Sequence, residues 1–185
     1  YARSEHRHYD RDNFIDYGAS ITGRVQYETA QAAAFTTPLV NQTLTAYLRE
    51  ITPLLGFFRL HIYGTLQLRA RDLNNTRLTL GSDSGLRGFG ARTFQGNNLY
   101  RLNVEARTTA LNLWTIHIGG VLFYDAGDTP DVFDGYNRSG EPRRASLHQD
   151  VGVGMRILFP QFNRDVVRLD LAFPFEQLGT SYAPS

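Results

Sequence analysis

The chain has 185 residues, with 19 basic side chains against 18 acidic ones and a net charge of +1, so it lacks the strong basic field of a nucleic-acid-binding protein. It contains no cysteine, which excludes disulfides and thiolate metal sites. No apolar run approaches the roughly 20 residues of a membrane-spanning helix, whereas aromatic residues are abundant, as in outer-membrane barrels with aromatic belts.

Apolar and polar residues alternate in the first third of the chain, which predicts strands with two unlike faces. The alternation is clearest from Ile15 to Thr29 and again from Phe58 to Ala70, and a weaker candidate spans Thr43–Ile51. The two clear stretches are longer than an ordinary strand of about five or six residues. They suit a tilted strand that crosses a bilayer in about nine to eleven residues.

Four more strands are predicted in the second half of the chain. They span Tyr100–Thr108, Trp114–Tyr124, Val151–Phe159 and Val167–Phe173. In the second of these, Trp114 is placed on the apolar face with Ile116 and Tyr124. The total is about seven strands, which do not close an even-numbered barrel, so we expect the whole chain, residues 1–185, to be the C-terminal portion of one barrel domain.

The connections between these strands are alternately short and long, as in barrels with short periplasmic turns and long outer loops. The short ones are Thr52–Gly56, Ala110–Asn112 and Pro160–Arg164, and the long ones are Ala30–Asn41, Asp72–Asn98 and Asp128–Ser146. This pattern favours an all-β transmembrane antiparallel β-barrel. The alternative is a soluble sandwich or lipocalin-like barrel, in which the apolar face points inward and the charges face solvent.

The long connection between the third and fourth strands is rich in glycine from Gly81 to Gly90. A phosphate-binding P-loop is excluded because it needs a lysine, which the chain lacks. A nucleophile elbow is excluded because Asp83, and not serine, lies at the centre of Gly81–Gly85. What remains is either a flexible surface loop or a tightly folded loop that presents Arg87.

Two carboxylates are expected on the polar side of adjacent strands. Asp125 has the same parity as His117 and therefore points away from the apolar face, and Glu105 points the same way from the preceding strand. Two such carboxylates require a cation, for which an arginine fork is the natural partner. The alternative is that Asp125 caps a turn in Asp-Ala-Gly-Asp.

These residues carry a resemblance to a known family. Leu86-Arg87-Gly88-Phe89 resembles the Val-Arg-Gly-Phe/Tyr signature of the BamA-like outer-membrane superfamily, which includes barrel-assembly proteins, TamA and two-partner secretion transporters. The segment from Phe123 through Asp125 to Gly127 matches its companion motif, and the segment 168–174 resembles its penultimate strand. The chain departs from the pattern in having Leu86 for the usual valine and in lacking POTRA domains and a closing strand.

The resemblance implies a sixteen-stranded barrel in the bacterial outer membrane whose arginine loop folds into the lumen. Arg87 would pair there with Asp125, with Glu105 as second acceptor. The implied function is non-enzymatic and without cofactor: insertion of barrel proteins into the membrane, or passage of polypeptides across it. The implied partners are lipids, client polypeptides and accessory lipoproteins or periplasmic chaperones, with no nucleic acid.

Three alternatives to this function remain open. One is a two-partner secretion pore for one dedicated substrate, and another is the membrane anchor of a fused patatin-type lipase. A third is a catalytic barrel, which would need a Ser/His pair on its outer wall, whereas His117 is expected to face inward. His6 and His8 are close in sequence, but the scattered histidines do not predict a metal site.

Overall fold

A computed structural model describes residues 1–10, 13–25, 39–70, 77–131, 145–159 and 166–175. The secondary structure of these residues consists of strands: β1 (Ala2–Asp10), β2 (Asn13–Val25), β3 (Leu39–Ile51), β4 (Phe58–Ala70), β5 (Leu78–Leu80), β6 (Phe94–Gly96), β7 (Leu99–Thr108), β8 (Leu111–Leu113), β9 (Ile116–Asp128), β10 (His148–Leu158) and β11 (Val166–Pro174). The described part of the chain contains no helix long and apolar enough to cross a membrane.

The long strands form one antiparallel sheet in the order β1-β2-β3-β4-β7-β9-β10-β11, and β8 also pairs with β9. Each long strand lies beside its neighbour in the chain once the β5–β6 hairpin is set aside, so the sheet is an up-and-down meander. Within the described residues, β1 and β11 each pair on one side alone, so the sheet is open. The all-β antiparallel fold class is therefore confirmed.

The register separates the sheet into two chemically different faces. Because side chains alternate along each strand, directly opposed residues share a face. His61 on β4 lies opposite Glu105, which lies opposite Phe123, so these residues mark the polar face. We define the apolar face by one residue from each of seven strands: Ile21, Leu48, Leu66, Leu102, Leu122, Val153 and Leu171.

The predicted strands are all present, β4 with its predicted ends and the others with shifted ends, but two strand-forming regions were missed. β1 runs antiparallel to β2 although no strand was predicted there, because both of its faces are polar and no alternation marks it. The connection Asp72–Asn98 was predicted without strands, yet it contains the hairpin of β5 and β6. The other two long connections and the turn Pro160–Arg164 lie wholly or largely outside the described residues.

The prediction that Trp114 begins a strand was wrong. Trp114 lies in the turn between β8 and β9, with a backbone φ of 53°, and its side chain is fully exposed. The predicted connection Ala110–Asn112 is wrong for the same reason, since Leu111 and Asn112 belong to β8, which pairs with β9. The hairpin formed by β7, β8 and β9 therefore turns later than predicted.

Apolar side chains from the long connection, together with Leu99 at the start of β7, form a buried core cluster among the described residues. Leu80, Leu86 and Leu99 are buried together, and Leu78, Phe89 and Phe94 pack against them. The core thus lies between the β5–β6 hairpin and the sheet, and it does not extend across the sheet's apolar face. We call residues 77–98 the arginine loop.

Candidate functional site

The base of the arginine loop is fixed to the chain that follows β9. The Asn97 N–H donates to Asp131 Oδ1 over 2.8 Å, and the Asn98 N–H donates to the Pro130 carbonyl over 3.0 Å. Asn98 also accepts a hydrogen bond from the Arg69 N–H at 2.9 Å. Since Asn97, Asn98 and Asp131 are buried, these bonds satisfy groups that would be costly to leave unpaired.

The tip of the loop descends onto the polar face through Leu86 and Gly88. Leu86 is fully buried in the apolar core. The Gly88 N–H donates to Asp150 Oδ2 over 3.0 Å. A Cβ atom on residue 88 would lie 2.7 Å from the Asp150 Cβ, so only glycine allows the backbone to approach β10 this closely.

Arg87, between these two residues, forms a two-pronged ion pair with Asp125. Its Nε lies 2.7 Å from Asp125 Oδ2 and its Nη2 lies 2.8 Å from Asp125 Oδ1. The planar guanidinium matches a carboxylate in this geometry, which a lysine ammonium cannot do. Asp125 is fully buried and Arg87 is 17% exposed, so the pair is largely shielded from water.

Further acceptors and a ring complete the surroundings of the Arg87 guanidinium. Nη1 donates to Glu105 Oε1 over 2.7 Å and lies 3.5 Å from Asp170 Oδ2. The guanidinium carbon stacks 3.5 Å from the centre of the Phe123 ring, a cation–π contact. Although burial by itself lowers it, the pKa of Arg87 is held above its usual value by Asp125 and Glu105.

The carboxylates around Arg87 are held by other side chains of the polar face. Asn103 Nδ2 donates to Asp125 Oδ1 over 2.7 Å and to the Gly85 carbonyl over 2.6 Å, and so links the strand to the loop. Glu105 also accepts from Arg107 Nε at 2.7 Å, and Asp170 accepts from Arg156. Asp150, which lies directly opposite Asp125 on β10, is fully buried as well.

The contacts expected of Arg87 with Asp125 and with Glu105 are therefore both present. Phe89 packs on the apolar core and Gly127, on β9, lies opposite Arg101 on β7, so both motifs lie around one site. Sequence reasoning missed three participants, Asn103, Asp150 and Asp170. The alternation of their strands places Asn103 and Asp170 on the polar side, but their distance from Arg87 could not be obtained without the strand register.

The apolar face is the second feature that bears on function. Each of the seven residues that define it is exposed, and the most exposed are Leu171 at 67%, Leu122 at 61% and Ile21 at 58%. At the end of the sheet with the short turns, further apolar residues are exposed on neighbouring turns and on β8: Leu54, Phe57, Leu111, Leu113 and Trp114. The Thr109 N–H donates to the Phe57 carbonyl over 2.8 Å, which joins those two turns.

Among the described residues, no group of three or more His, Asp or Glu side chains is arranged to hold a metal ion. The Arg87 site joins cations and carboxylates in fixed pairs, so its direct chemical effect is to hold the loop against the sheet. No family model, curated protein or solved structure matches the chain.

Proposed function

We propose that the chain is part of a transmembrane β-barrel of the bacterial outer membrane, which inserts other barrel proteins into that membrane or passes polypeptides across it. The observation that carries the proposal is the exposed apolar face, which continues over seven strands of a sheet whose opposite face is charged. The combination is that of a barrel wall between lipid and a polar interior.

Burial energetics favour lipid over water on this face. Soluble monomers rarely expose a continuous apolar patch larger than a few hundred Å², and here large apolar side chains are exposed on every strand from β2 to β11 in the main sheet. In hydrocarbon the same side chains face an apolar solvent. Aromatic rings near both ends of the sheet, Phe57 and Trp114 at one end and Phe173 at the other, fit the belts of such barrels.

The arginine loop supports the more specific part of the proposal. The resemblance to the BamA-like superfamily implied that Arg87 would reach Asp125 on a neighbouring hairpin, and this contact is present at 2.7 Å. In a barrel the loop would lie inside the lumen and stabilise one part of the wall. The partners proposed with this function are outer-membrane lipids, client polypeptides and accessory lipoproteins.

The experiment that tests this function is depletion of the full-length protein in its own cell, followed by mass spectrometry of outer-membrane barrel proteins and of the culture medium. A fall in many unrelated barrel proteins is the result expected of an assembly factor. Loss of one exported protein with barrel proteins unchanged would point to a dedicated secretion pore. Location of the tagged protein away from the outer membrane would overturn the proposal.

A further inference from the structure

A second basic site lies on the polar face, nearer to the short turns than Arg87. It is a cavity of about 240 Å³ lined by Arg107, Arg156, Arg168 and His117, together with small and apolar residues. Its lining includes no carboxylate among the residues that the structure describes. The cavity therefore presents three guanidinium groups, two of which, Arg107 and Arg156, are also paired with carboxylates outside its lining.

Gly119 makes room for this cavity near the start of β9. It lies directly opposite Arg156, and a Cβ atom built on it would find its nearest neighbour, the Thr108 carbonyl oxygen, at 3.7 Å. Glycine weakens a strand, and within one it often marks a place where a ligand approaches the backbone. The fold therefore has open space between Arg107 on β7 and Arg156 on β10.

The arginines around the cavity are not fully neutralised. Arg156 and Arg168 lie directly opposite each other on β10 and β11, a placement of like charges that destabilises a sheet. Glu105 forms an ion pair with Arg107, and Asp170 forms one with Arg156, both from the side of Arg87. Within the described ranges, Arg168 has no carboxylate in salt-bridge contact, and the buried Nε of Arg156 has no hydrogen-bond partner.

We propose that this cavity binds a phosphate group, with Arg156 and Arg168 as the principal ligands and Arg107 as the third cation. Guanidinium groups donate pairs of hydrogen bonds that match phosphate oxygens. A dianion between Arg156 and Arg168 also removes their mutual repulsion. The group can come from inorganic phosphate or from the phosphomonoester of a lipid headgroup, and the site does not depend on the function proposed above.

The test is calorimetric titration of the full-length protein in a neutral detergent. One arm uses inorganic phosphate, and the other uses a short-chain phosphatidic acid below its micelle concentration, with chloride as the background anion. Saturable binding in the first arm identifies free phosphate as a ligand. Binding in the second arm alone identifies the lipid headgroup, and absence of binding in both arms overturns the proposal.

Two pairs of variants locate the site. Gly119→Val places side-chain atoms in the cavity and should abolish binding. Gly64→Val makes the same change on the apolar face of β4, outside the cavity lining, and should leave binding intact. Arg168→Gln should weaken binding about tenfold or more, as expected for loss of a charge-assisted hydrogen bond. Arg92→Gln, which changes an arginine of the loop surface, should have little effect.

Arg168→Gln keeps the test decisive if Gly119→Val does not fold, because Arg168 lies on an exposed strand. Equal weakening by Arg168→Gln and Arg92→Gln would mean that phosphate responds to overall charge, and would overturn the site.

Discussion

Replacement of Arg87 by methionine should release the tip of the arginine loop. Methionine keeps an unbranched stem like that of arginine but leaves Asp125, which is fully buried, without its cation. Removal of one partner from a buried ion pair costs about 3–5 kcal/mol. Asp125 would retain the hydrogen bond from Asn103 at 2.7 Å, so we expect a value near the lower end, about 3 kcal/mol.

The assay is limited chymotrypsin digestion of the full-length protein, because this protease needs no arginine and can cut after Phe89 and Phe94. When the loop opens and closes faster than it is cut, the cleavage rate follows the open population. A cost of about 3 kcal/mol then raises the rate roughly a hundredfold. Arg92→Met is the matched control, since its ion pair with Asp83 is exposed and worth less than about 1 kcal/mol.

The double variant Arg87→Met with Asp125→Asn distinguishes loss of the pair from loss of arginine alone. The neutral amide does not leave a buried charge, so we expect the double variant to be cleaved more slowly than Arg87→Met. The reasoning is refuted if Arg87→Met is cleaved at the wild-type rate. It is also refuted if the two substitutions act additively, because the pair would then carry no coupling energy.

Three other predictions concern the loop and the apolar face. Leu86→Ala should destabilise the loop by about 2–5 kcal/mol because Leu86 is fully buried. Urea unfolding measures this change. An effect as small as that of Leu171→Ala, at an exposed position, would contradict the prediction. Gly88→Ala should destabilise the docked loop by about 1–3 kcal/mol, because the added methyl group overlaps Asp150. Chymotrypsin should therefore cut the loop of this variant faster. Protection equal to that of the wild type would show that the backbone need not approach β10 so closely. Leu122→Arg should lower the free energy of unfolding in lipid by about 2–4 kcal/mol if the apolar face meets hydrocarbon. A change within about 0.5 kcal/mol, as for an ordinary surface site, would count against a membrane barrel. Thr45→Arg, on the polar face, is the control for Leu122→Arg.

Alternation was sufficient to predict the strands whose two faces differ in polarity. β4 is an example, because Leu60, Ile62 and Leu66 share one face and Arg59 and His61 share the other. β1 could not be found in this way, since Ser4 and His6 on one face are as polar as Arg3 and Glu5 on the other. Local pattern also failed at β5 and β6, because strands of three residues are too short to show a period.

The candidate site was predictable in part for a different reason. The parity of Glu105 and Asp125 follows from their strands alone, and a buried pair of carboxylates calls for an arginine. The contact between Gly88 and Asp150 depends instead on how far the loop descends, which the packing of Leu86 determines. Asp170, on β11, contacts the same guanidinium as Asp125, on β9, although β10 lies between these two strands. Such proximity depends on register and sheet shape rather than on sequence spacing.

The arginine loop also gives the sheet unequal stiffness along its width. Its tip touches β7 through Glu105, β9 through Asp125, β10 through Asp150 and β11 through Asp170. A sliding or splaying motion of any of these strands would pull on water-shielded contacts of the tip. β1, β2 and β3 are held mainly by their backbone ladders and by contacts with one another. A lateral load on the sheet would therefore deform β1–β3 first, while the loop would hold β7 and β9–β11 in shape.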